Sequence, residues 1–303
     1  VAAARWHDVK ARLLTLDDWL LSRLVRLVFA ALRALGRERA SNLGAWLAAR
    51  IGPFTRNHRH MMENLRLALP EMSAAQHAAI AREAWENLGR TACEYVHLGD
   101  IWDFDGGRVF SDDATKAAFE RLLAEGRPVL TFAAHLANWE LPAVVAHAMG
   151  QRGAILYRTP NNRFIAEDIV RLRAPIMGEL IPAGLSSPIR MAEALDCGVS
   201  VGMLVDQRFG RGPMVPFFGR LAASNPFLAR LARRFEAPVY GLRAIREPGQ
   251  RFRLELVGPL DLPRDAAGKV DVEATTALVN HIIEGWIREH PGQWLWMHRR
   301  WRS

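Results

Sequence analysis

The run V-L-T-F-A-A-H-L-A-N-W-E-L-P at 129–142 sets a histidine and a carboxylate, His135 and Glu140, five residues apart across an expected strand-to-helix turn. Imidazole takes up and releases a proton near neutral pH, and a carboxylate folded back onto it fixes its tautomer and stabilises the imidazolium. Such a pair deprotonates an alcohol without a metal. The same spacing also fits a histidine at a surface turn followed by a glutamate favoured by the helix N-terminal dipole. Asp206 directly follows the aliphatic run V-S-V-G-M-L-V, which again puts a polar group at a strand end or caps the loop beyond. Arg171 and Arg173 fall two apart, so a helix turns only one of them toward a site, to hold a phosphate or to pair with Asp206. A solvated arginine at a helix end fits equally.

Other chemistries lack their residues. The chain has no G-x-S-x-G elbow, no G-x-x-x-x-G-K-[ST] phosphate loop, no H-E-x-x-H zinc pair and no G-x-G-x-x-G fingerprint. This argues against a serine hydrolase, a P-loop NTPase, a zincin and a dinucleotide enzyme. Cys93 and Cys197 stand far apart, outside metal-ligand spacing, and are expected to be reduced and buried.

The elements that must position these groups follow from the hydrophobic period. Apolar residues recur at three- and four-residue intervals through 43–51, 58–69 and 73–98, the last opened by Ser73 in a capping-box pattern. Beyond residue 110, short β-rich runs at 129–134, 154–158, 179–182, 199–205, 239–245 and 252–257 alternate with helical stretches, the pattern of an α/β fold with a central mixed sheet flanked by helices. Glycine, proline and clustered charge mark loops at 103–113, 209–218 and 259–268. The expected organisation is an amphipathic membrane-anchor helix over 1–40 and an α/β catalytic domain over 41–303. Hydrophobic residues make up 50% of the chain, enough for a sizeable core.

The net charge of +8 favours an anionic partner: nucleic acid, anionic lipid or an acidic carrier protein. Nothing near the N-terminus resembles a cleavable signal peptide. In residues 20–35 the longest apolar run is 27–32, well short of the ~18 residues that argue for a span. On a helical wheel Arg12, Arg23, Arg26, Arg33 and Arg37 share one side, and Leu21, Leu24, Val28, Leu32 and Leu35 the other. That suits a helix lying in a lipid interface with arginines toward phosphates, or an ordinary helix packed on its own domain. Trp294, Trp296 and Trp301 among His298, Arg299, Arg300 and Arg302 suit a lipid interface, base stacking, or a core beside a basic tail. The 209–218 segment carries phenylalanines placed for a flap or a simple connection.

The H-L-A-N-W-E segment resembles the H-x-x-x-x-[DE] motif of the bacterial lipid A late acyltransferases, within the lysophospholipid acyltransferase superfamily. In the same order as in that family come Tyr157-Arg158 with Asn161, Arg171-Leu172-Arg173, Asp206-Gln207, V-P-F-F-G at 215–219 and W-L-W-M-H-R-R-W at 294–301, with N-L-R-L-A-L-P-E at 64–71 before them. The resemblance implies His135 as base, Glu140 as its orienter, and substrate-binding positions at Asn138, Arg158, Asn161, Arg171, Asp206 and Gln207, with Arg171 favoured over Arg173. It implies an acyl thioester co-substrate, usually acyl carrier protein, a lipid A precursor whose hydroxyl is acylated, and no metal or other cofactor. It further implies a seat against the anionic cytoplasmic face of the bacterial inner membrane, with no nucleic acid partner. Many members have glycine where this chain has Ala137. The alternatives are an acyl-CoA-dependent acyltransferase for another glycolipid or lysolipid and, from a different class, a non-catalytic basic lipid- or nucleic-acid-binding protein.

Overall fold

The change of hydrophobic period near residue 110 is a change of architecture. A computed structural model describes residues 2–102 and 107–301, with side chains from Leu16 onward. The helical third comprises α1 (Ala2–Leu35), α2 (Arg37–Ile51), α3 (Arg56–Ala68), α4 (Ala74–Glu94) and the single turn α5 (Leu98–Ile101). Ser73 and Gln76 form the reciprocal capping box that starts α4. Helices α2 and α4 meet backbone to backbone: a Cβ on Gly44 would lie 2.2 Å from the Gly89 carbonyl oxygen, so only glycine permits the crossing.

The second part alternates: β1 (Val109–Phe110), α6 (Asp113–Glu125), β2 (Leu130–Ala133), α7 (Leu141–Ala148), β3 (Gly153–Tyr157), α8 (Arg163–Met177), β4 (Glu179–Pro182), α9 (Ser187–Asp196) and β5 (Ser200–Leu204). It continues with β6 (Met214–Phe217), β7 (Arg220–Ala223), α10 (Phe227–Phe235), β8 (Val239–Glu247), β9 (Arg251–Val257) and α11 (Val272–Glu289). Seven strands form one mixed sheet in the order β1-β9-β8-β2-β5-β3-β4, parallel except for the β8–β9 pair. Of the central strands, β5 is buried on both faces through Ser200–Met203, as a parallel strand covered by helices is, while β2 alternates buried Leu130 and Phe132 with half-buried Thr131 and Ala133.

Several expectations need correction. The 209–218 segment is not all loop: β6 and β7 form a hairpin, and Phe217 and Phe218 are buried against Trp294, Trp296 and Trp301. Trp294 and Trp296 are core residues. Cys197 is exposed, because it follows the last turn of α9 on the solvent side, and Cys93 is half-buried; both are free thiols. The 103–113 loop lies partly outside the described residues and includes β1.

The arginines of α1, expected either to face lipid phosphates or to lie on the outer side of a helix packed by its leucines, turn in part to the body of the protein. Arg26 Nε pairs with Asp168 at 2.7 Å, Arg33 Nε donates to the Val96 carbonyl, and Arg37 donates to the Asp100 carbonyl. Arg26, Arg33 and Arg37 thus bond acceptors on the body of the protein, Arg23 stays exposed over the Trp19 ring, and the aliphatic stripe faces outward: Leu24 and Leu27 are 56% and 68% exposed, while only Leu32 is buried. The side chain of Arg12, and Arg302, lie outside the described residues. Among the described residues no helix is long and apolar enough to cross a membrane.

Candidate active site

The parallel register of β2 and β5 builds the centre. Ala133 lies opposite Leu204, so two residues further on His135 meets Asp206, at the carboxyl ends of adjacent strands where ligands collect in open α/β sheets. The His135 Nδ1 lies 2.8 Å from Asp206 Oδ1, and the His135 backbone N–H donates to Oδ2 at 3.0 Å. Trp294 Nε1 donates to the same Oδ2 at 2.7 Å. Asp206 is 1% exposed. Burial by itself raises the Asp206 carboxyl, but the His135 charge and these three donors outweigh it and hold the group at about 2. A carboxylate ionised at neutral pH requires a proton on Nδ1, which leaves Nε2 as the basic nitrogen. Gln207 donates its amide N–H to Nε2 at 3.2 Å.

Glu140 does not supply the carboxylate that faces Nδ1. It is buried at the N-terminus of α7, and its carboxylate pairs with Arg173 of α8. Arg173 packs over the rings of Tyr95 and Tyr157, and its Nε is buried without a hydrogen-bond partner. Burial disfavours the Arg173 charge, yet Glu140 and the tyrosines raise its pKa above the ordinary value. Burial pushes the Tyr95 hydroxyl up as well. Arg171, the member of the pair favoured beforehand, points away: it is exposed and approaches Asp168 and Glu167 on its own helix. Helical phase decides between them, since a two-residue step turns the side chain about 200°.

The turn between His135 and Glu140 is clamped by its neighbours. Ala137 is fully buried at φ 47, the left-handed region, with its carbonyl accepting from Asn87 and Thr91 of α4. Asn138 donates to Glu94 at 2.9 Å and accepts from the Glu140 N–H. Glu94 in turn accepts from Ser41 and Arg246. Burial would raise the Glu94 carboxyl; Arg246, Ser41 and Asn138 together lower it. Asn138 therefore supports the turn from within. Segment 293–295 runs along the other side, where the Leu295 N–H donates to the His135 carbonyl and the Ala137 N–H to that of Gln293.

His135, Glu140, Arg158, Arg173 and Gln207 ring one end of a cavity of about 360 Å³ whose walls are largely apolar, including Phe119, Leu122, Phe132, Ile155, Leu242 and Leu256. Asn161 is exposed beside the cap of α8, and it is the adjacent Asn162 that caps the helix and contacts Asp18 of α1. Trp294 and Arg173 are the site residues that motif reading left out. Trp294 gave the signal of an indole in a polar-aromatic tail, and Arg173 was one half of an unresolved pair.

An imidazole backed by a buried carboxylate thus lines an apolar cavity, an arrangement chemically able to accept a proton beside an apolar ligand. The chain matches the family described as bacterial lipid A biosynthesis acyltransferase over residues 7–303, and it belongs to that family of O-acyltransferases. It is 26% identical over 270 residues to the lipid A biosynthesis palmitoleoyltransferase of Escherichia coli (strain K12), covering 86% of this chain and 84% of that protein. Identity to the lipid A biosynthesis lauroyltransferase of the same organism is also 26%, over 247 residues, covering 79% of this chain and 77% of the relative. A lipid A biosynthesis acyltransferase of Shigella flexneri matches at 26% over 270 residues, 86% of this chain and 84% of that protein.

Proposed function

We propose that the protein transfers a fatty acyl chain from a thioester, carried by acyl carrier protein, to a hydroxyl of a lipid A precursor. His135 acts as general base. The observation that carries this is the polarity of the imidazole: Nδ1 is committed to buried Asp206, so Nε2 is the acceptor at the mouth of an apolar cavity. The acceptor hydroxyl displaces the Gln207 amide from Nε2 and loses its proton there as its oxygen attacks the thioester carbonyl. Collapse of the tetrahedral intermediate expels the thiolate, which takes the proton from Nε2. No acyl-enzyme forms. Within the turn, the backbone N–H groups of residues 135, 136, 137, 140 and 141 already have acceptors, which leaves those of residues 138 and 139 and the Arg173 guanidinium, whose Nε lacks an acceptor, as donors for the oxyanion. Glu140 holds that guanidinium in place, and Arg158 and Gln207 contact substrate at the mouth.

The outward leucines of α1 support docking on a bilayer at the cytoplasmic face of the inner membrane. Trp46 and Ile51 of α2 and Phe54 beyond it, which is 90% exposed, add further exposed apolar side chains that a lipid surface would cover. Incubation with acyl carrier protein and CoA thioesters plus a tetra-acylated lipid A precursor, read by mass spectrometry, tests the reaction. The expected result is a gain of one acyl chain, preferentially from the carrier protein and lost in His135→Ala; an unimpaired His135→Ala enzyme refutes the base assignment.

A further inference from the structure

The two Escherichia coli relatives are each 26% identical to this chain over their matched lengths and are named for different acyl chains, so identity does not decide which chain this protein uses. The cavity itself has rungs. β5 sets Gly202 opposite Thr131 of β2 and Ile155 of β3, and two residues further from His135 it sets Ser200 opposite Gly153. All of these residues line the cavity. At the Ser200 rung the apolar wall gives way to a polar pair. Gln151 Nε2 donates to Ser200 Oγ at 2.8 Å, and the same oxygen accepts the Val129 N–H at 3.0 Å. An acyl methyl pushed into these groups would strip hydrogen bonds it cannot replace.

Gly202 occupies the middle of this path. A Cβ built there would lie 2.9 Å from Ile155 Cδ1 and 3.0 Å from Thr131 Oγ1. Ordinary van der Waals separation between carbons is about 3.5–4.0 Å, so a methyl at this rung would have to displace Ile155 or Thr131, both of which line the cavity.

Resting on the acyl-transfer reading above, we infer that Gly202 and the Gln151–Ser200 pair set the length of the transferred chain. Gly202 lets the chain pass the middle rung, and the polar pair stops its methyl end. Ser200 is level with Val129, six residues before His135, a depth of about 20 Å at ~3.3 Å per strand residue. With carbon–carbon bonds of ~1.5 Å a zigzag chain advances about 1.3 Å per carbon. The stop therefore accommodates roughly twelve to fourteen carbons once the carbonyl stands off the imidazole. Blocking the Gly202 rung removes two strand residues of depth, about five carbons.

The test gives the purified protein an equimolar series of saturated thioesters from eight to eighteen carbons, on acyl carrier protein and on CoA, with the tetra-acylated precursor, and reads product chain length by mass spectrometry. Gly202→Ala is expected to move the preferred length about five carbons shorter, to the neighbouring lengths of the series. Each methylene that loses apolar burial costs roughly fourfold, so the longest chain the wild type accepts should lose more than tenfold in relative kcat/KM. Gln151→Ala, at the half-buried end, should move the preference two or more carbons longer, and it carries the test alone if Gly202→Ala fails to fold. Folded variants whose product distributions coincide with that of the wild type overturn the length assignment while leaving acyl transfer intact. A wild type that transfers no chain refutes the acyl-transfer reading instead, and the length assignment with it.

Discussion

Replacing Asp206 by asparagine keeps the shape of the centre and removes its charge. The carboxylate receives three donors, two on Oδ2 from the Trp294 indole and the His135 backbone, and one on Oδ1 from the His135 ring. The asparagine oxygen can serve the first two, which leaves its amide N–H group facing Nδ1. The ring then accommodates it by releasing the Nδ1 proton and carrying its proton on Nε2, so the lone pair that should receive the substrate proton is gone. The transition-state imidazolium also loses its counter-charge, worth about 4 kcal/mol at ~4 Å and an effective dielectric near 20. At ~1.4 kcal/mol per decade this is roughly a thousandfold in kcat. The folding cost is smaller, about 1–3 kcal/mol, if a buried donor is left mismatched. Single-turnover acyl transfer followed by mass spectrometry, beside thermal unfolding of the same sample, separates the two effects. Retention of kcat within about threefold in a folded Asp206→Asn enzyme would falsify the claim that this carboxylate makes Nε2 the base.

Ala137→Gly removes the left-handed strain at φ 47 and should raise stability by about 0.5–1 kcal/mol, seen as a rise of about 2 °C in Tm; a lower Tm contradicts the strain argument. Asp206 has its carboxyl lowered from 3.8 to about 2 in the folded protein, so its contribution is complete above pH 3.8 and lost as pH falls toward 2. Urea unfolding between pH 5 and pH 2 should therefore fall more steeply for the wild type than for Asp206→Asn, and parallel curves would exclude the linkage. Changing Leu20, Leu24 and Leu27 together to serine should weaken co-sedimentation with anionic vesicles by two or more decades, at about 1.5–3 kcal/mol per leucine, without lowering Tm. Unchanged sedimentation would remove α1 from the membrane contact.

The sequence reading located the six longer strands of the main sheet to within a few residues, because their aliphatic runs are bounded by glycine, proline and charge. The β6–β7 hairpin escaped it: Pro213, Pro216 and Gly219 read as turn residues, whereas the strand depends on two phenylalanines packing against tryptophans some eighty residues away. His135 and Asp206 were each recognised at a strand end, yet their partnership was not, since it arises from a pairing between β2 and β5 across 71 residues of sequence. Local proximity pointed to Glu140 instead. The wheel of α1 separated its two stripes but left open which one faces the protein, because a wheel contains no Asp168 or Val96.

The cluster beneath the His135 turn has an evolutionary consequence. Ser41, Glu94, Asn138 and Arg246 come from four separate stretches of chain and share one buried ionised centre, and Arg246 also binds Asn87 and Thr91. Losing Arg246 alone strands the Glu94 charge, and losing Glu94 alone strands Arg246, each at about 3–5 kcal/mol. Replacing both at once is far milder than the sum. The quartet should thus be inherited as one character, with sister lineages keeping all of it or exchanging it wholesale, while the alanine above it drifts to glycine and back at little cost.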